Sequence, residues 1–314
     1  MKAKLTQGKF GSALGRIGRL CSRVVWLGAV ILICSSASAQ NMFVSGTDAG
    51  GGEIFKFPLA GPETIFATGL VDPWDLAVDS AGNLFVVDSQ CGELYCGAKI
   101  NKITPQGVRT VLASGLSYPS DLAVDNAGNV FVADYDNGII YQYKPDGSRA
   151  TFASGLYHPV GPVFDSLGNL FVADNSVGNL YQGSIYKYKP DGSRVTIAVL
   201  NAGDRPADLA LDSMGNLYMA DLGGKIYRYD LSGVLRRYPR TTFGSVPNSA
   251  QSLAFDSAGN LFVVDAGGVN NAGGAIPNAV YKFTQQGARS VFASVEAVGE
   301  SFACLAFQPI ACCQ

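Results

Sequence analysis

One histidine (His158) and two tryptophans (Trp26 and Trp74) occur in 314 residues, and that scarcity excludes a good deal of chemistry. A zinc centre built on several histidines has no ligand set here. No nucleophile elbow, Gly-rich phosphate loop or Cys–His pair is present. No apolar run reaches the roughly 20 residues that a membrane helix needs; the longest stretches from Val24 to Cys34. Excess positive charge is missing as well, once the ends are separated. The first 39 residues hold six basic side chains (Lys2, Lys4, Lys9, Arg16, Arg19 and Arg23) and no acidic one, so residues 40–314 keep 17 basic against 25 acidic groups. Nucleic acid and anionic membrane surfaces demand clustered Lys and Arg. That composition argues against both as partners.

A basic segment, the short apolar run and Ser35-Ser-Ala-Ser-Ala39 form the pattern of a secretory signal peptide with an A-x-A cleavage site. Cleavage is expected after Ala39, leaving Gln40 first and placing the protein outside the cytoplasm, secreted or periplasmic. An uncleaved anchor is the alternative. Lipidation at Cys34 is disfavoured, because Ile33 is too bulky for the small residue required before the cysteine. No second run approaches spanning length, so the mature chain is expected to be soluble, without a membrane span, and monomeric.

Two of the seven cysteines, Cys21 and Cys34, fall in that leader. Export permits disulfides, and Cys91 and Cys96, which flank a short Gly-Glu-Leu-Tyr loop, are expected to pair. Cys304, Cys312 and Cys313 leave an odd thiol, and their spacing fits no zinc pattern.

Against these scarcities stands an abundant repeat. The run Asp75-Leu-Ala-Val-Asp-Ser-Ala-Gly-Asn-Leu-Phe-Val-Val-Asp88 recurs at 121–134, 161–174, 208–221 and 252–265. Each copy reads as a strand A, a tight Asp-x-x-Gly-Asn connection and a strand B, with the Gly-Asn pair suited to a hairpin turn. A third strand appears six times, as in Ile54-Phe-Lys-Phe57, Ile140-Tyr-Gln-Tyr143 and Val280-Tyr-Lys-Phe283. A β-branched residue followed by aromatics about one polar position suits a sheet. Glycine turns and a polar outer strand, such as Ser148–Phe152, complete a four-stranded meander of about 45 residues.

Six such units fill residues 40–314. One sheet alone is too small to hide its apolar faces, whereas radial stacking buries them and leaves only short edges. The expected fold is therefore all-β, a single six-bladed β-propeller. Each strand-B aromatic (Phe43, Phe85, Phe131, Phe171, Tyr218, Phe262) contributes roughly 1.5–3 kcal/mol if fully buried. The ends support closure: Met42-Phe-Val44 matches a strand B with no strand A before it, and Cys304-Leu-Ala-Phe-Gln308 aligns with Ser252–Asp256. The last blade should then take its inner strand from the C-terminus and three strands from the N-terminus, which removes the final open edge. Five blades with loose termini is the alternative.

The run from Pro119 to Asp134 resembles an NHL repeat, and the chain over 41–310 is similar to the bacterial gluconolactonase-like and streptogramin-lyase-like propellers. The resemblance implies the six-bladed fold, but that fold hosts lactonases, lyases and plain binding modules. Gluconolactonase-like enzymes hold a divalent metal with Glu, Asn and Asp near the axis. The equivalent Asn and Asp slots here hold Trp74, Ser120, Val160, Ala207, Gln251 and Ala303, so that constellation is absent. A one-residue slip would bring Asp75, Asp121 and Asp208 into play.

In a four-stranded meander, strand A starts and strand B ends at the same edge. The D-to-A and B-to-C connections therefore share one face, and the monotonous turns share the other. The first face carries irregular loops, among them Ser89–Ala98, Asn175–Gly183, Pro239–Gln251 and Ala266–Asn278, and function is expected there. Asp88, Asp134, Asp174, Asp221 and Asp265 end every complete strand B, which suits loop capping in every blade. Asp75, Asp121 and Asp208 start strand A in only three blades. Either they converge to hold a hard cation such as calcium, or each caps its own strand. Trp74 suits stacking on a flat ligand or packing between blades; His158 is a general-base candidate or an incidental loop residue. The expected role is a binding module for a protein or carbohydrate ligand, with a metal-dependent lactonase or hydrolase as the alternative.

Overall fold

The computed structural model describes residues 40–48, 51–58, 62–89, 97–175, 183–231, 240–269, 275–276, 278–294 and 301–308. Six four-stranded antiparallel sheets make up the fold, with a two-stranded ribbon (Gly268–Val269 with Ala275–Ile276) appended to one of them. Blades II to V follow the chain, with inner strands Pro73–Val78, Pro119–Val124, Pro159–Phe164 and Pro206–Leu211. Blade VI starts at Ser249–Phe255. Blade I is built as expected from both ends. Its inner strand is Ser301–Phe307, paired with Asn41–Asp48 through Met42↔Phe307, Phe43↔Ala306 and Val44↔Leu305. Gln308 N donates to Asn41 O at 2.9 Å, and the two side chains bond at 2.6 Å.

Burial falls from axis to rim. Every residue of the second strands Leu84–Asp88, Val130–Asp134, Leu170–Asp174 and Leu217–Asp221 is buried. The third strands are mixed, and outer strands such as Arg149–Ala153 are mostly exposed. Because each sheet is covered on both faces by its neighbours, the core lies between blades. The six second-strand aromatics are all buried. Phe131 meets Phe152 of its own blade and Phe164 of the next, edge to face at 5.0 and 4.9 Å. Tyr218 repeats the pattern with Phe243 and Phe255, and Phe262 with Phe292 and Phe307. Such pairs add about 0.5–1.5 kcal/mol each beyond area burial, and the last one welds blade VI to the closing strand.

The Asp-x-x-Gly-Asn turns are five copies of one device. Asp79 Oδ1 accepts from Ala81 N and Asn83 N at 3.0 and 2.8 Å, while its Oδ2 takes the Asn83 amide at 2.7 Å. Asp125, Asp165, Asp212 and Asp256 do the same. The glycine between them sits at positive φ, 81° at Gly82, where a side chain would be strained.

Candidate functional site

Six inner strands converge on a cavity of about 280 Å³ at the end of the axis where they begin. A D-to-A residue (Tyr118), inner-strand residues such as Gln251 and residues just past strand B (Tyr135, Asp136, Asn175, Leu222) line it together, as antiparallel meanders require. A β-bulge interrupts the A–B pairing at this end of every blade, between Pro73 and Asp75, Pro119 and Asp121, Val160 and Val163, Pro206 and Asp208, and Ala250 and Ser252. In blade I it falls opposite Ala303 and Cys304. A regular strand sends consecutive side chains to opposite faces; a bulge re-aims them. Trp74 and Asp75 can thus face one cavity, as do Ser120 with Asp121, Ala207 with Asp208, Gln251 with Ser252, and Ala303 with Cys304. Nothing in the sequence signalled the bulges, and reasoning from residues alone missed Tyr118, Tyr135, Asp136, Asn175 and Cys304 as cavity groups.

The position after the bulge seals one blade to the next. Asp75 Oδ2 accepts from Leu122 N of blade III at 2.6 Å. Asp121 accepts from Gly161 N of blade IV, and Asp208 Oδ2 from Leu253 N of blade VI at 2.8 Å. Ser252 Oγ takes Leu305 N of blade I at 3.3 Å, and Cys304 Sγ donates to Asp75 Oδ1 of blade II at 2.7 Å. The sixth junction carries no side chain. Gly161 has φ 56°, and a Cβ there would stand 2.6 Å from Leu209 N of blade V. The idea that each aspartate caps its own strand holds in part, since Asp75 also accepts from Leu76 N. Asp208 does hold Leu209 N at 2.7 Å, but the shared role is from blade to blade, because an outward-leaning bulge residue reaches the neighbouring strand's unpaired N–H.

The strand-B aspartates are structural too, though mostly not for the loop that follows them. Asp174 Oδ1 accepts from Tyr157 N and His158 N at 2.8 and 2.9 Å, ahead of strand A. Asp88, Asp221 and Asp265 hold the matching segments, and only Asp134 is confined to its following loop, at Asn137. Pro73, Pro119, Pro159 and Pro206 lie opposite Asp88, Asp134, Asp174 and Asp221, and a proline contributes no N–H to the ladder.

Electrostatically the cavity floor is unusual. Desolvation pushes Asp75 up to about 6, with the hydrogen bonds from Cys304, Leu122 and Leu76 working against it. Desolvation and then the Asp75 charge push Asp208 up to about 8. Asp121 is held well above the usual carboxylate range by burial and by repulsion from Asp75 and Asp208. Burial and the same two carboxylates hold the Cys304 thiol well above its usual range, which keeps it un-ionised and poorly nucleophilic.

The three aspartates thus do share one cavity. Among the described residues, however, no group of three or more Asp, Glu, His or Cys side chains is arranged to hold a metal ion. Oxygens of Asp75 and Asp208 are already engaged by backbone N–H groups and the Cys304 thiol. The slots one residue earlier all line the cavity and include no carboxylate, so the gluconolactonase-like metal set does not fit. Trp74 lines the cavity and is 42% exposed, free to meet a ligand. His158 does not line it. Its ring packs on Tyr135 and Tyr157 at 4.1 and 4.6 Å, and its buried Nδ1 has no hydrogen-bond partner. Cys91, Cys96, Cys312 and Cys313 lie outside the described residues.

The NHL repeat model matches residues 116–139, and the strictosidine synthase-like N-terminal model matches residues 193–229. This is a six-bladed propeller with an NHL repeat. Solved structures share that fold at low identity. A nidogen/laminin complex chain aligns with TM-score 0.68 and 18% identity, over 87% of this chain and all of that one. A gluconolactonase from Xanthomonas campestris aligns at 0.59 and 17%, over 84% and 86%. A virginiamycin B lyase from Staphylococcus aureus aligns at 0.54 and 15%, over 82% and 85%. No curated protein sequence matches the chain. Likenesses at these identities establish architecture, and chemistry has to come from the cavity.

Proposed function

We propose that the chain is an exported propeller that works as a monomeric binding module and takes a protein or carbohydrate ligand at the cavity face. The observation that carries this reading is a concave site with a half-exposed tryptophan at its wall and no activated nucleophile on its floor. The Cys304 thiol is kept protonated, and the single histidine is stacked elsewhere. Export, to the periplasm or beyond, rests on the basic and apolar leader over residues 1–39. A propeller of the same fold in a nidogen/laminin complex is in keeping with a binding role. Immobilised protein presented to a glycan array and to exported-fraction extracts should retain a ligand, and Trp74→Ala should reduce capture at least tenfold with unchanged melting. Equal capture by the variant would contradict the reading.

The convergence of Asp75, Asp121 and Asp208 on one cavity favours a second reading, a metal-dependent hydrolase or lactonase with calcium or a similar cation there. A lactone and ester panel with added calcium separates the two. Turnover that vanishes in the triple Asp→Ala variant would replace the binding module with an enzyme.

A further inference from the structure

The cavity has a polarity beyond its shape. Four aspartates reach it (Asp75, Asp121 and Asp208 on the floor, Asp136 near the rim), while Lys, Arg and His are absent from its described lining. Its wall is aromatic. Trp74 is half-exposed, and Tyr118 packs edge to face against Tyr135 at 5.4 Å. A concave, low-dielectric site of one sign focuses the field and concentrates the opposite charge. Aromatic faces add attraction for organic cations, because the ring quadrupole is negative above its plane. A hydrated metal gains little from such a wall, whereas an alkylammonium or guanidinium group can meet the rings with its stem and the carboxylates with its N–H donors.

Resting on the binding reading above, we infer that the cavity takes one organic cation, an ammonium or guanidinium group on a short apolar stem, with Trp74 and the tyrosines about the stem and Asp121 facing the charge. Size agrees with a small group, since about 280 Å³ lies just below the roughly 300–1,000 Å³ typical of drug-sized ligand pockets. The group could arrive on a free amine or as a Lys or Arg side chain of a partner protein. The floor carboxylates respond to the same occupant. Asp75, Asp121 and Asp208 are held toward their neutral forms; a cation beside them reverses that preference, so its binding releases protons near neutral pH.

The test uses the chain from Gln40 onward, which holds every described strand and in which Trp74 is the sole tryptophan. Its fluorescence is titrated with agmatine, with the capped peptide acetyl-Gly-Arg-Gly-amide, with the citrulline version of that peptide, and with calcium. Agmatine or the arginine peptide should bind at least tenfold more tightly than the neutral citrulline peptide. Preference between the first two tells a free amine from a protein side chain. Asp121→Asn should weaken binding at least tenfold. Trp74→Ala, a change at a half-exposed side chain, should do the same by calorimetry with an unchanged circular-dichroism melt, with proton release in buffers of unlike ionisation enthalpy. Equal binding of arginine and citrulline peptides, or binding of calcium alone, overturns the inference. A neutral glycan captured at the cavity and lost in Trp74→Ala would sink the cation while sparing the binding module; no ligand of any class would sink both.

Discussion

The two faces of the propeller solve the same topological problem in opposite ways. On the turn face, five Asp-x-x-Gly-Asn connections reuse one set of hydrogen bonds, so that Asp79 and Asp256 are interchangeable in role. On the cavity face, equivalent positions are filled by Asp75, Asp121, Gly161, Asp208, Ser252 and Cys304, so that three blade junctions are sealed by a carboxylate and the other three by a bare glycine, a hydroxyl and a thiol. Repetition marks what any blade needs in order to fold. Individuality marks where the ring as a whole meets something else, and there buried carboxylates are kept at a cost to stability.

If closure is what makes the ring, the largest effect should come from removing residues 301–314. That deletion strips the inner strand from blade I, removes buried Leu305 and the Phe262–Phe307 contact, and uncovers Phe43 and Val44 on the strand it pairs with. A loss of more than about 5 kcal/mol is expected, seen as the absence of a cooperative thermal transition by circular dichroism. A truncated chain that melts like the parent would show that the ends do not hold the ring.

The next comparison sets two glycines of similar φ against each other. Gly155→Ala (φ 72°, open space) should cost about 1–2 kcal/mol from left-handed strain alone. Gly161→Ala adds a collision with the blade V backbone and should cost about 3–5 kcal/mol. Denaturant unfolding of both variants measures the difference. Equal costs would mean that the IV–V junction is not tightly packed.

Much of this was legible in the sequence, and the boundary is physical. The Asp-x-x-Gly-Asn periodicity gave blade number, strand order and the turn glycines because local geometry dictates them. Matching Cys304–Gln308 to Ser252–Asp256 gave the closure, because an unpaired strand B needs a partner. The bulges were not legible, since an extra residue in a short inner strand leaves no trace in periodicity. Trp74, Asp75, Asp121 and Asp208 were found on the proper face, but the aspartates' bonds to neighbouring blades and the approach of Tyr118 and Tyr135 come from packing six sheets around one axis.

A smaller effect probes the cavity face by pH. Asp75 and Asp208 have folded-state values raised to about 6 and about 8, above the usual carboxylate value near 4. The folded state therefore binds the extra protons. Their contribution is complete below about pH 4 and is lost as pH rises through 6 and then 8. Stability should decline between about pH 4 and 8, each group adding a slope of up to about 1.4 kcal/mol per pH unit. Asp208→Asn should flatten the upper part of that decline. A curve for Asp208→Asn that parallels the parent across pH 6–9 would show that this carboxylate is not buried as described.

The most direct trial of the division between scaffold and site is the affinity of one captured ligand for two variants, Trp74→Ala at the cavity and Leu167→Ser/Met214→Ser on the turn face, where both side chains are largely exposed. Binding should drop at least tenfold in the first and stay within twofold in the second. Affinity that survives the loss of Trp74 but collapses with Leu167 and Met214 would place the working surface at the opposite end of the axis.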